Sequence, residues 1–346
     1  MCGIGGFSIA RGEAARADRD AMIRALLRDL ESRGRDAAGV AWRSAASGET
    51  YYQKAPYKGS RFASELHRSA RHAAAAIVHT RFATQGSPED ERNNHPIYLP
   101  GIVGVHNGCL ANDDEIIEAL GHERVGEVDS EAAFALLAEG PAVFPDASPG
   151  DLLGMVEGTM ALAWLAPEEE RPSLWLARGA GSPLWLGWSK GGTLVFASTR
   201  QAVERAAKAG GLSMGTVREV QPGWVLRIAG GQVQEEWQFT PESAGRRPRS
   251  DYSERSAFEP SRREQRRSDR VREYFDWARE NSRFLDDLHA TEDEFPEAES
   301  HGRSTRSRRP RADWPAGYGQ RQASKRGEIL FGPKRERRTT DAPGPF

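Results

Sequence analysis

The sequence lacks most features that mark secreted or membrane proteins. Its 346 residues include only two cysteines, Cys2 and Cys109, too few for a disulfide scaffold and typical of a reducing compartment. No apolar run approaches the roughly 20 residues that span a bilayer, and the first residues do not resemble a signal peptide. The sequence therefore predicts a cytoplasmic protein with no membrane segment.

Local signatures of metal and cofactor sites are also missing. The eight histidines include no His-x-x-x-His pair, and neither cysteine belongs to a Cys-x-x-Cys motif. We therefore predict neither a metal nor a cofactor.

Composition divides the chain at about residue 240. Residues 241–346 contain 24 basic and 20 acidic residues but few apolar ones, whereas the preceding part contains 24 basic and 30 acidic residues. A segment so poor in apolar residues buries too little surface to fold alone. We therefore predict a folded domain over 2–240 and a charged, low-complexity, largely disordered tail over 241–346.

Two parts of the tail suggest partners. Apolar residues near 265–289 follow one helical face, which favours either a transient helix or a helix that docks on another protein. The arginine-rich run at 303–338 could contact nucleic acid, although a solvated tail is the more common role of such a run.

Residues 1–240 read as an α+β domain. Many short strands alternate with fewer helices, which predicts two stacked sheets with helices outside. The predicted helices are 21–30, 113–120, 130–138 and 200–209. The predicted strands are 3–9, 37–43, 50–54, 74–79, 101–106, 158–165, 173–177, 183–187, 193–197, 216–220, 223–228 and 232–237.

Cys2 is the first candidate for chemistry. Removal of Met1 would place a thiol and an α-amine on one residue, and that amine has an ordinary pKa of about 7.7–8.0. The free amine can take the thiol proton, so that no histidine base is required. A cysteine at position 2 alone is weak evidence for a nucleophile.

Three further positions suit an amide substrate. The side chain of Asn107 and the N–H of Gly108 could stabilise the oxyanion of a tetrahedral intermediate. Arg81 could bind an α-carboxylate, and Asp129 could bind an α-ammonium.

Each of these residues also has a structural interpretation. Asn107-Gly108 is a common hairpin turn, Asp129 is a good helix N-cap, and Arg81 could form a surface salt bridge. His95 could merely hydrogen-bond a loop, and Cys109 is expected to be a small core residue.

Taken together, these positions resemble the class II glutamine amidotransferases, a branch of the N-terminal-nucleophile hydrolases. The resemblance covers residues 2–238 and implies a four-layer αββα sandwich, similar to the N-terminal domains of glucosamine-6-phosphate synthase and amidophosphoribosyltransferase. The matching segments are Met-Cys-Gly-Ile at 1–4, Leu-Glu-Ser-Arg-Gly-Arg-Asp-Ala-Ala-Gly-Val at 30–40, His-Thr-Arg-Phe-Ala-Thr at 79–84, Asn-Asn-His-Pro at 93–96, His-Asn-Gly at 106–108 and Asp-Ser-Glu at 129–131.

The resemblance implies a role for each matching position. Cys2 would be the nucleophile and, through its amine, the base, while Asn107 and Gly108 would form the oxyanion hole. The implied substrate and supporting residues are Arg81 for the glutamine carboxylate, Asp129 for its amine, Phe82, Thr84 and His95 around the pocket, and Arg33 to order the N-terminal strand. The family often has tryptophan where Phe82 stands and histidine where Gln85 stands, so the loop over the substrate is expected to pack differently.

Members of this family normally pass ammonia to a second catalytic domain, and no pattern for such a domain follows residue 240. We therefore expect a stand-alone glutaminase that delivers ammonia to a separate synthetase or synthase subunit. A hydrolase of another γ-glutamyl amide and a non-catalytic glutamine-binding scaffold are the alternatives.

Overall fold

Two antiparallel sheets form the centre of the fold. The computed structural model describes residues 1–166 and 172–242 and the backbone of a strand at 328–331. The first sheet contains β1 (Gly3–Ser8), β2 (Ala37–Ser44), β3 (Thr50–Ala55), β4 (Ala73–Arg81), β9 (Trp185–Ser189), β10 (Leu194–Ala197), β11 (Met214–Glu219) and β14 (Glu328–Phe331). The second contains β5 (Ile97–Leu99), β6 (Ile102–Leu110), β7 (Gly158–Leu165), β8 (Ser173–Arg178), β12 (Trp224–Ala229) and β13 (Gln232–Gln238).

Strand order places the start of the chain in the middle of the first sheet. That order is β11-β9-β10-β1-β4-β2-β3-β14, so that β1 pairs with β10 on one side and with β4 on the other. The second sheet has the order β13-β12-β8-β7-β6-β5. The residues nearest to Cys2 are therefore held on both sides by backbone hydrogen bonds.

Helices cover the outer face of each sheet. Of the helices described, α1 (Arg19–Leu30), α2 (Gly59–Ser64) and α6 (Arg200–Ala209) pack on the first sheet, and α3 (Asp113–Leu120), α4 (Ser130–Val143) and α5 (Pro149–Gly154) lie on the side of the second. One apolar cluster lies between the first sheet and its helices, and another lies between the two sheets. This arrangement confirms the predicted α+β, four-layer αββα architecture. None of these helices is long and apolar enough to cross a membrane.

Local sequence explains why α1 forms and where it packs. Asp18 caps its start by accepting a hydrogen bond from the Ala21 N–H at 2.9 Å, and the apolar residues recur at helical spacing on the buried face. Gly5 of β1 lets this helix approach closely, because a Cβ there would lie 2.9 Å from Leu26 Cδ2. The helix consequently packs directly over the strand that begins after Cys2.

The predicted strands and helices all occur, with ends shifted by up to five residues. The strand predicted at 101–106 continues to Leu110, and the helix predicted at 130–138 continues to Val143. The sequence did not predict β5, α2 or α5, which have three to six residues each. It also assigned 328–331 to the tail, whereas these residues pair with β3 in the register Glu328 to Gln53 through Phe331 to Thr50. The amphipathic segment predicted near 265–289 and the basic run before residue 328 lie outside the described residues.

Candidate active site

The backbone of Cys2 is fixed immediately before β1. Arg33 Nε donates to the carbonyl oxygen of Cys2 at 2.9 Å. Gly3 lies opposite Thr80 in the β1–β4 ladder, and the Ile4 N–H donates to Ser198 Oγ at 2.9 Å. The hydrogen bond to Cys2 is the contact through which Arg33 would order the N-terminal strand.

The thiol of Cys2 lies against the segment that follows β4. Its Sγ accepts from the Phe82 N–H at 3.4 Å and lies 3.6 Å from the Phe82 carbonyl oxygen, to which the thiol donates. Burial raises the pKa of this thiol, and the hydrogen bond with Phe82 and the positive charges of the N-terminus and Arg81 only partly offset the rise. The thiol is therefore mainly protonated near neutral pH and needs a base before it can attack.

Arg81 is a buried cation bound only by neutral oxygens. Its side chain is 3% exposed, Nη1 donates to Asn94 Oδ1 at 2.8 Å, and Nη2 donates to the carbonyl oxygens of Gln85 and Gly86. No carboxylate among the described residues forms an ion pair with it. The guanidinium uses three of its five N–H donors in these bonds, so it retains both charge and donors for an anion.

The loop after Arg81 contains the remaining predicted pocket residues. Phe82 is 51% exposed and Thr84 is exposed, so neither is packed into the core. His95 is instead buried, its ring stacks on that of His79 at 4.2 Å between centroids, and neither of its ring nitrogens has a hydrogen-bond partner. The ring of His95 therefore forms no hydrogen bond to the loop within the described residues, unlike its structural interpretation.

The second sheet contributes an open strand edge. β5 pairs only with residues 102–104 of β6, so that residues 106–110 have no strand on that side within the described part of the chain. Met160 lies opposite Gly108, but its N–H and carbonyl bond to Ala180 and Gly179, away from β6. Because a residue of an antiparallel pair bonds either to its partner or away from it, the Gly108 N–H points to the open edge.

Asn107 presents a second free donor beside Gly108. Its side chain is 1% exposed, and its Nδ2 has no hydrogen-bond partner. A buried amide without a partner costs free energy, roughly 1–3 kcal/mol, and such groups occur mainly where a ligand or water completes them. The pair lies inside β6, so the hairpin-turn interpretation of Asn107-Gly108 is wrong.

Strand alternation places three of these side chains in the layer between the sheets. Cys2, Arg81 and Asn107 are each separated by an even number of positions from an apolar residue of that layer, and side chains two positions apart share a face. The apolar reference residues are Ile4, Ile77 and Val105. The three polar side chains therefore occupy one end of the space between the two sheets.

Histidine 79 connects the two sheets at this end. Its Nε2 donates to the carbonyl oxygen of His106 at 3.0 Å, which ties β4 to the residue before Asn107. Since a carbonyl only accepts, this bond requires the Nε2–H tautomer. Burial lowers the pKa of His79 to about 3, so the ring stays neutral.

Asp129 approaches the site from the start of α4. Its Oδ2 accepts from the Leu110 N–H at 2.7 Å, and its Oδ1 accepts from Ser130 Oγ at 3.3 Å. It occupies the N-cap position but makes no capping hydrogen bond to the helix backbone. Its negative charge contributes to the raised pKa of the Cys2 thiol. The same charge opposes the lowering of the Arg81 pKa that burial causes. Cys2, Arg81 and Asp129 thus interact electrostatically within one site.

One expectation about this region is wrong. Cys109 was expected to be a small core residue, but it is exposed. The physical reason is that β6 runs past His106 to Leu110 and β5 covers only its first residues, so Cys109 lies in the part of the strand with an open edge. Partial burial raises the pKa of its thiol, and Asp129 adds to the rise.

The structure also shows supporting residues for which the sequence predicted no role. Asp36 accepts from the Ala83 N–H at 2.7 Å and holds the loop after β4. Asn94 bonds Arg81, and Ser198 bonds the start of β1. Asp36 and Asn94 stand within the matching segments at 30–40 and 93–96, so these segments were the available signal for both residues. Lys54 lies in none of the matching segments.

No group of His, Cys, Asp and Glu side chains in the described residues is arranged to hold a metal ion. A cavity of about 550 Å³ does exist, lined by residues that include Leu186, Arg218 and Trp224, but it contains none of the predicted site residues.

Comparison with known proteins agrees with this geometry. Residues 79–205 match the family model described as a glutamine amidotransferase domain. Glutamine–fructose-6-phosphate aminotransferase (isomerizing) of Corynebacterium efficiens is 32% identical over 222 residues, which cover 59% of this chain and 35% of that protein. The same enzyme of Rhizobium meliloti is 36% identical over 196 residues, covering 55% of this chain and 30% of its own length. The chain thus matches about a third of the length of these relatives.

Among solved structures, the fold is similar to that of glutamine phosphoribosylpyrophosphate amidotransferase from B. subtilis complexed with ADP and GMP. The TM-score is 0.53 at 20% identity, over 69% of this chain and 49% of that one. The two stacked sheets with their outer helices are therefore the fold of that amidotransferase. Residues 79–205 are therefore similar to a glutamine amidotransferase domain.

Proposed function

We propose that this chain hydrolyses the side-chain amide of glutamine through the thiol of Cys2, exposed as the first residue after Met1 is removed. The observation that carries the proposal is the pair of free donors at the open edge of β6. Asn107 Nδ2 is buried without a partner, and the Gly108 N–H points away from β7. Such donors suit an oxyanion that develops only during the reaction.

The reaction requires a base and a nucleophile on one residue. The free α-amine of Cys2 takes the thiol proton, and the thiolate attacks the amide carbon of glutamine. The amine then gives that proton to the departing nitrogen, so the C–N bond breaks, ammonia leaves and a thioester remains. Water attacks the thioester, with the amine again accepting a proton, and glutamate is released with the thiol restored.

Substrate recognition follows from the two charged groups beside the thiol. Arg81 retains a positive charge without a carboxylate partner and would bind the α-carboxylate, while Asp129 would bind the α-ammonium. Phe82, Thr84 and His95 would shape the pocket. We further propose that the ammonia passes to a separate acceptor enzyme.

The test is glutamate release from glutamine by purified protein, with intact mass measured in parallel. We expect turnover only in molecules that have lost Met1, and at least a 1,000-fold loss in Cys2→Ala with glutamine binding nearly retained. Cys109→Ala is the matched control and should keep near-normal turnover. A version with one extra residue left before Cys2 should be inactive, because its α-amine is replaced by an amide.

Other outcomes separate the alternatives. Faster turnover of another γ-glutamyl amide than of glutamine would reassign the substrate. Binding of glutamine without any turnover by the matured protein, with or without cell lysate, would favour a scaffold. Full activity in Cys2→Ala would refute the proposed chemistry.

A further inference from the structure

A buried lysine lies next to the proposed carboxylate pocket. Tyr52 belongs to the apolar layer between the sheets, and Lys54 is two positions further along β3, so it shares that face. Lys54 is only 8% exposed. Its Nζ donates to the carbonyl oxygens of Asn94 at 2.8 Å and Pro96 at 3.2 Å, on either side of His95.

Asn94 joins this lysine to Arg81. Its backbone oxygen accepts from Lys54, its side-chain Oδ1 accepts from Arg81 Nη1 at 2.8 Å, and its Nδ2 donates to the Pro88 carbonyl oxygen at 2.6 Å. A change in the position of this backbone therefore moves the group that orients the guanidinium.

Both cations are bonded to neutral oxygens. In the described part of the chain neither Lys54 nor Arg81 forms an ion pair. Buried cations without a compensating carboxylate create a positive potential that favours an anion. A free carboxylate at Arg81 is stabilised by this potential, whereas an amidated or peptide-bound glutamine is not.

We propose that Lys54 is a positioning and specificity residue, which fixes the segment 94–96 behind Arg81 and adds a second positive charge that selects substrates with a free α-carboxylate. This inference rests on the proposed hydrolysis of glutamine. Lys54 itself does not contact the reacting atoms.

The charge of Lys54 can be removed by pH. Burial lowers its pKa to about 8; the nearby charges of Glu91 and Asp90 oppose that shift and Arg81 adds to it. His95 also faces Lys54, and burial holds the pKa of His95 well below its ordinary value, so this ring is already neutral above pH 7. The hydrogen bond from Arg92 lowers the pKa of Asp90, so this carboxylate stays ionised there, and Arg81 stays charged.

The experiment compares kcat and KM for glutamine in the wild type, Lys54→Met and Lys54→Arg between pH 7.0 and 9.5. Lys208→Met, on the exposed face of α6, is the control. At pH 7 we expect Lys54→Met to raise KM about tenfold and to change kcat by less than about twofold. The ratio of its KM to that of the wild type should fall above pH 9, because the wild type has then lost the same charge, and the ratio that remains measures the lost hydrogen bonds to the segment 94–96.

Lys54→Arg keeps the inference testable if the methionine variant does not fold. Arginine remains protonated, so KM of this variant should stay flat relative to a wild-type KM that rises above pH 8. Titrations of the substrate amine and of the N-terminal amine occur in every variant and cancel in these ratios. For glutamine amide, whose carboxylate is absent, Lys54→Met should change KM by less than twofold.

A KM ratio for Lys54→Met that stays constant from pH 7 to 9.5 would mean that the lysine only holds the backbone, and it would overturn the charge role. An unchanged KM at pH 7 would overturn the whole inference. If the wild type neither binds nor hydrolyses glutamine, the proposed function fails first, and this inference fails with it.

Discussion

The layer between the two sheets has an apolar middle and a polar end, and the two regions differ in how completely folding satisfies their side chains. In the middle, Ile4, Ile77 and Val105 are fully buried against apolar neighbours. At the polar end, Arg81 lacks a carboxylate partner and Asn107 keeps an unpaired donor. Under the proposed function, a substrate satisfies the groups at the polar end, whereas folding satisfies the groups in the middle.

The largest expected difference between the two regions is in reaction rate. Asn107→Leu keeps the branched shape of the side chain but removes the unpaired donor, so under the proposed function we expect kcat to fall about 100- to 1,000-fold. The free energy of unfolding should fall by at most about 1 kcal/mol, because Nδ2 has no partner to lose. Initial rates and urea denaturation measure the two quantities.

Ile77→Ala is the matched variant from the apolar middle. We expect it to lower the free energy of unfolding by about 2–5 kcal/mol while the folded fraction keeps near-normal kcat. If Asn107→Leu destabilised the protein as much as Ile77→Ala does, the division into a functional end and a structural middle would be wrong.

A smaller effect should appear in the pH dependence of stability. Burial lowers the pKa of His79 to about 3, whereas an unfolded chain takes up this proton near pH 6.5. The folded state is therefore neutral while the unfolded state becomes charged, and stability is lost as pH falls from about 6.5 to about 3, by up to about 1.4 kcal/mol per pH unit. His79→Phe should flatten this slope by about one proton in urea titrations between pH 7 and 4.

His67→Phe is the control for that slope. His67 is exposed, so we expect its replacement to leave the acid dependence unchanged. An equal slope in His79→Phe and the wild type would mean that the other buried histidines, His95 and His106, account for the acid sensitivity.

The smallest effect concerns the outer edge of the first sheet, on the side of β3 that faces away from β2. Truncation after residue 242 removes the strand Glu328–Phe331 and leaves the β3 edge unpaired. An unpaired edge favours association with another chain, so we expect increased self-association at high concentration with glutaminase activity changed less than about twofold. Sedimentation velocity compares this form with one ending at residue 333, which retains the strand. Equal self-association of the two truncated forms would count against an edge-covering role.

The sequence predicted long periodic elements and motif residues more reliably than short elements and support residues. The apolar spacing in α1 and α6 is unambiguous, whereas β5 has three residues and cannot show a period. The strand at 328–331 is four residues in a charge-rich segment, and its pairing with β3 depends on residues almost 300 positions away. Such contacts are a property of the folded chain.

The candidate site divides in the same way. Cys2, Arg81, Asn107 and Asp129 came from motifs that name chemical roles. Lys54 did not, because a lysine that ends a short strand ordinarily points to solvent, and only the pairing of β3 with its neighbours turns it toward the second sheet. The exposure of Cys109 was missed because the end of β6 was placed four residues too early.

The short length of β5 has a consequence for how this fold can evolve. Four more residues at the start of that strand would bring it opposite Gly108, would give the Gly108 N–H a permanent carbonyl partner and would stabilise the sheet. Under the proposed function, the same change would abolish turnover, because the Gly108 N–H could no longer bind the oxyanion. A selection for thermal stability alone would therefore favour mutations at this edge that abolish turnover.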